Sequence, residues 1–223
     1  MEQKLRNWCL TIQQSSVWVI WVKLMRNILL RLAVGFTLLA ANLAAQTHYF
    51  PAKTFGEDPR SDQFISSWYS GQLRALGQPW LFELSTNPAI ESYRFTWLRT
   101  FHHPVAVRVD VQPDGTATLS TRMTSGAGGY DPGKLILNTD RPLTTEETQR
   151  IISQINASGF WRLPSYVRDN GGMDGSEWVM EAAVHGKYHL VSVWTPKDGP
   201  IHDLGTMFLF DLAKMKLPND EVY

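Results

Sequence analysis

Cysteine is almost missing from this chain: Cys9 is the single one in 223 residues. It lies in a leader, so the segment left to fold has no disulfide, no thiol nucleophile and no thiolate metal ligand. No cysteine stands at the expected cleavage point either, which excludes a lipid anchor there. A basic surplus is lacking as well. The leader holds five of the 21 basic residues and one of the 21 acidic ones, leaving 16 and 20, a net charge of about −4. Without a basic block or stripe, nucleic acid is excluded as a partner. Long hydrophobic runs are absent too. The apolar stretch from Leu32 to Ala41 is too short for a hydrocarbon core of about 30 Å, which needs about 20 residues.

That stretch has another use. Met25 opens "MRNILLRLAVGFTLLAANLAAQ", in which Arg26 and Arg31 precede the apolar run and Leu43-Ala44-Ala45 precede Gln46. This is the order of a secretory signal peptide, with cleavage expected after Ala45 and the functional start expected at Met25. Residues 17–22, "VWVIWV", are apolar, but Lys23, Arg26 and Arg31 interrupt any continuous span. The alternative is an uncleaved inner-membrane anchor, the only membrane contact the sequence suggests. The expected location is therefore the periplasm or the exterior.

Residues 46–60 carry two prolines and no period, and read as an irregular lead-in. A single domain is expected over 61–217, followed by a tail, 218–223. Ser61 or Asp62 can cap a helix running to Leu76, with Phe64, Ile65, Trp68, Tyr69 and Leu73 as its stripe and Gly77 as its stop. Tyr93–Trp97 and Val105–Val111 alternate as strands, "QPDG" turns the chain, and Thr116–Thr124 returns. Thr144 and Glu147 fit a capping box before a helix with Ile151, Ile152 and Ile155 as its apolar face. Trp178–Val184 and Tyr188–Trp194 form a hairpin, and a third helix runs from Ile201 to Met215. The expected fold is α+β: one domain, a mostly antiparallel sheet and about three packed helices.

Several motifs invite chemistry and fail on context. "GGYDPGKL" (128–135) has P-loop spacing, but Leu135 replaces the Mg²⁺-binding hydroxyl, Pro132 removes a backbone donor, and no helix can follow before Pro142. It reads as a mobile surface connection carrying Tyr130 and Lys134, a place for recognition. His102 and His103 precede Pro104 in extended backbone and point apart, so they do not share a metal. No histidine set has metal-ligand spacing, and neither metal nor cofactor is expected. There is no G-x-S-x-G elbow. Glu181 and His189 would form an acid–base pair only if the hairpin loop had three residues. A two-residue loop gathers Trp178, Met180, Ala182, Val184, His189, Val191 and Val193 on one face and sends Glu181 to the other. Asp174-Gly175 reads most simply as a tight turn. Tryptophans 68, 80, 97, 161, 178 and 194 would bind sugar rings or an apolar partner if exposed and coplanar; 68, 97 and 178 fall on apolar stripes, as core residues do.

The phrases "YRFTWLRTFHHPVAVRV", "GAGGYDPGKL", "GFWRLP", "MDGSEWVME" and "YHLVSVWTPKDGP" resemble a family of bacterial exported proteins over roughly 61–217. That family has no established activity, so the resemblance implies one exported domain and transfers no catalytic role. The expectation is a non-enzymatic binding or interaction module whose partner is an envelope protein or a small ligand. Arg99, His102, His103, Tyr130 and Lys134 are its candidate ligand-binding residues. The alternative is a hydrolase assembled only in the fold, with Glu181, His189 and Asp174 as catalytic candidates.

Overall fold

A computed structural model describes residues 49–167, 174–217 and 222–223. The expected leader, 1–45, lies outside the described residues. One compact unit spans His48–Tyr223. Its elements run α1 (Pro59–Ala75), α2 (Leu81–Leu84), β1 (Glu91–Arg99), β2 (Val105–Val111), β3 (Ala117–Thr124), β4 (Leu135–Leu143), α3 (Thr145–Ala157), β5 (Tyr166–Val167), β6 (Ser176–Val184), β7 (Lys187–Trp194) and α4 (Pro200–Thr206). The strands form one sheet in the order β4-β3-β2-β1-β6-β7-β5. Every pairing is antiparallel except β5 with β7. The fold is α+β, as the patterning predicts.

The two central strands, β1 and β6, are buried along nearly their whole length because helices cover both sheet faces. Alternation divides their side chains. Tyr93, Phe95, Trp97, Trp178, Met180 and Ala182 face α3 and α4, where Ile151, Ile155, Leu204 and Phe208 complete the larger core. Leu98, Val179 and Leu190 face the other way, against Tyr69 and Leu73 of α1. Full burial of each such side chain is worth roughly 1.5–3 kcal/mol.

Local chemistry sets the element ends. The α1 cap is Asp58, whose carboxylate accepts from Ser61 N at 3.0 Å with Pro59 in the first turn, so the cap lies ahead of both expected ones, Ser61 and Asp62. Asp62 instead ties down the lead-in, accepting from the Lys53 and Phe55 amides at 2.8 Å each. That lead-in is irregular but integral to the fold, since Phe50 and Phe55 are buried against Tyr69. Thr144 and Glu147 make the capping box in both directions. His185 and Gly186 form the two-residue loop, with φ of 49° and 84°, as a primed hairpin turn requires. The last helix changes to π geometry over Met207–Leu212 and ends there, short of the expected Met215.

Strand β4 has no counterpart in the sequence reading. Its residues pair with β3 from Ala117↔Leu143 to Thr124↔Leu135, with a register shift at Met123/Thr124. It lies at the sheet edge and is mostly exposed. Pro142 fits there because an edge strand has one side with no ladder bond to lose. Among the described residues, no helix is long and apolar enough to cross a membrane.

Candidate functional site

The pairing of β1 with β6 sets Trp97 opposite Trp178 and Arg99 opposite Ser176. Period two places all four on one sheet face, at the end of β1 and the start of β6. Trp97, Ser176 and Trp178 are essentially without solvent exposure. Their polar atoms converge on one point. The Trp97 indole donates to the main-chain oxygen of Tyr223 at 3.2 Å, and the Trp178 indole donates to the same oxygen at 3.1 Å. The Ser176 hydroxyl donates to it as well, and itself accepts from Trp178 Nε1 at 2.8 Å. The Arg99 guanidinium carbon lies 4.3 Å from the centre of the Trp97 ring, and its Nη2 donates to His103 O at 3.2 Å.

The walls come from separate elements. His102 follows β1, and its Nδ1 is 2.7 Å from the Tyr223 hydroxyl. His202 of α4 stacks on Trp178 at 5.6 Å with the planes 21° apart. Gly205, one turn on, lets α4 come against the tryptophan: a Cβ there would lie 2.4 Å from Trp178 Cε3. Such a set of buried neutral donors beside a guanidinium suits an acceptor oxygen. Ser176 is not arranged as a nucleophile, since its hydroxyl faces an indole and a main-chain oxygen, and His102 is turned to the Tyr223 phenol.

The candidate ligand-binding residues gather next to this cluster. Arg99 belongs to it, and His102 and His103 are in the loop that continues β1. That loop meets the glycine-rich segment: Gly128 N donates to His102 O at 3.0 Å, Gly129 N to Thr100 O at 3.2 Å, and His103 Nδ1 lies 2.9 Å from Gly126 O. Tyr130 is exposed and stacks on Phe101 with ring centroids 6.1 Å apart. Lys134 is exposed at the start of β4.

The glycine-rich segment is a folded hairpin tip rather than a free connection. Ser125, Gly126 and Ala127 amides bond to the Lys134, Pro132 and Asp131 carbonyls. On its inner side Trp68 Nε1 and Gln72 Nε2 of α1 donate to Gly128 O at 2.8 and 3.1 Å. A Cβ on Gly128 would lie 2.6 Å from the Arg99 main chain, so the close approach requires glycine. The segment leads into a strand, so no helix N-terminus is available for a phosphate.

The catalytic candidates are not brought together. Glu181 faces α1 and is locked to Arg94: Nε and Nη2 donate to its Oε2 at 2.9 and 2.6 Å, and Tyr188 donates to Oε1 at 2.9 Å. Arg94 Nη1 also holds Pro79 O. Burial and the Glu181 charge raise the Tyr188 pKa well above normal, so the phenol stays a neutral donor. His189 is on the opposite face, packed between Phe160 and Trp161. Burial lowers its pKa below 6.5, and the Leu163 and Phe160 backbone offsets part of the shift. Asp174 is exposed ahead of β6, with 168–173 outside the described residues.

Two surface cavities, of about 370 and 320 Å³, lie beside Phe55 and Tyr166 and between α3 and α4. Neither includes a candidate residue. No cluster of metal-ligating side chains occurs among the described residues. The sequence does not mark Ser176 or Tyr223 as site residues, and it leaves Trp97 and Trp178 among tryptophans that fit the core better than a ligand-binding face. The available signal was W-x-R in β1 and S-x-W in β6, two one-face pairs that meet once the strands are paired in register. Set against known proteins, the chain matches no family model and no curated sequence.

Proposed function

We propose that the chain is an exported, non-enzymatic binding module of the bacterial periplasm or cell envelope, and that the Trp97–Arg99–Ser176–Trp178 cluster holds its ligand. The observation that carries this reading is the convergence of three buried donors on one oxygen, in a place where, among the described residues, no base is set to activate Ser176. The locking of Glu181 by Arg94 and Tyr188 supports it, because a buried carboxylate held by three hydrogen bonds is poorly placed for proton transfer. Export rests on the leader pattern and on the resemblance to exported bacterial proteins.

Native mass spectrometry after incubation with envelope extract tests the reading. A bound small molecule or peptide, recovered chemically unchanged and lost in a folded Ser176→Ala variant, is expected. Cleavage products formed by the wild type but not by a folded Glu181→Gln variant would overturn it in favour of a hydrolase.

A further inference from the structure

We infer that this cluster is a peptide-binding site for an aromatic residue and its main-chain acyl oxygen, and that the chain's own Tyr223 fills it in cis. The inference rests on the binding-module reading and names the ligand class and its control. Two features of Tyr223 are read at once. Its main-chain oxygen accepts from Trp97, Trp178 and Ser176. Its phenol meets His102 Nδ1 at 2.7 Å, with the rings 5.6 Å apart and 65° inclined. Recognition is therefore two-pointed, an acyl oxygen at the sheet and a hydroxyl-bearing ring at the loop.

The burial of the donors favours an occupant. Trp178 Nε1 keeps Ser176 Oγ as an acceptor, whereas Trp97 Nε1 and the Ser176 hydroxyl donate to Tyr223 O, and leaving either without an acceptor costs about 1–3 kcal/mol. When Tyr223 withdraws, water or a competitor with the same two groups supplies the oxygen. A tethered occupant acts at an effective concentration of the millimolar order. An external peptide must displace it, so the full chain is self-masked and loosening Tyr223 unmasks the site.

The test uses the full chain and its Tyr223→Ala variant, with N-acetyl-tyrosine, its amide and N-acetyl-alanine as probes, read by calorimetry and indole fluorescence. Removing the phenol weakens the occupant by about one hydrogen bond and its ring contact, so N-acetyl-tyrosine should bind the variant about 10-fold more tightly than the wild type. N-acetyl-alanine should bind neither, and adding Ser176→Ala to the variant should abolish the gain. Preference for the free acid over the amide identifies a terminal carboxylate as the ligand oxygen; equal binding identifies a main-chain carbonyl. Equal affinity of both chains for N-acetyl-tyrosine, or none in a variant whose near-ultraviolet circular dichroism is native, overturns the inference. Should Tyr223→Ala fail to fold, the Tyr223 ring resonances of the wild type decide. Chemical shifts of that ring that millimolar N-acetyl-tyrosine leaves unchanged also overturn it. Recovery of an envelope ligand that remains bound in Ser176→Ala would leave the module reading standing and remove this site from it.

Discussion

Neither Arg94 nor Glu181 exposes any side-chain surface, so each charge depends on the other for solvation. Removing one partner strands the other, and Glu181→Ala or Arg94→Ala should each cost about 3–5 kcal/mol. The double replacement Arg94→Met/Glu181→Leu should recover most of that loss, because desolvating a buried pair offsets much of its attraction. Urea unfolding of the three variants measures both effects. Full stability in either single variant would show that Glu181 is free to serve elsewhere. Glu177 is a different case on the same face. Its Oε2 accepts from Ser192 Oγ at 2.8 Å, Ser192 Oγ lies 3.2 Å from the Tyr69 hydroxyl, and burial raises the carboxyl pKa above 4.5. The folded state thus keeps its proton to higher pH than the unfolded chain. The stabilising contribution is complete below pH 4.5 and is lost as pH rises through the folded value. Glu177→Gln keeps the acceptor and removes the titration. Its urea midpoint should exceed the wild type's at pH 7, with the advantage shrinking towards pH 4.

Helix α4 meets the sheet through Gly205, where a Cβ would lie 2.4 Å from Trp178 and 2.6 Å from Phe95. Helix propensity alone favours Gly205→Ala by about 1 kcal/mol, but overpacking costs about 1–3 kcal/mol. The variant should melt at a lower temperature and alter the near-ultraviolet tryptophan signal as Trp178 shifts. A higher melting temperature with an unchanged spectrum would show that the helix can move aside. Elements with one strong period were legible in the sequence: α3 through its capping box, β2 through its valines, and the β6–β7 loop length through the uniform face it produces. Strand β4 was not legible, because Asn138, Asp140 and Pro142 have turn chemistry and an exposed edge imposes no apolar alternation. Arg122 compensates from β3, pairing with Asp140 at 2.8 Å and donating to Thr139 O at 2.8 Å. In the same way, Asp58 caps α1 from within a segment whose two prolines suggest only irregularity.

At the scale of the molecule, the candidate site joins Trp97, Arg99, His102, Ser176, Trp178, His202 and Tyr223, which only the β1–β6 pairing, α4 and the segment at Tyr223 bring together. Its register was therefore closed to sequence reading, although Arg99 and His102 were identified as binding candidates from their segment. The compact unit begins at His48, three residues beyond the cleavage expected after Ala45, and among the described residues its first buried side chain is Phe50. Processing after Ala45 would therefore leave every described core contact in place, whereas a cut beyond Phe50 would remove an aromatic that packs edge-on against Phe55 and Tyr69. In a bacterial host, mass spectrometry of periplasmic protein should find a chain starting at Gln46 that unfolds at the same urea concentration as the uncut chain. A full-length chain retained in the membrane fraction would instead establish the uncleaved anchor.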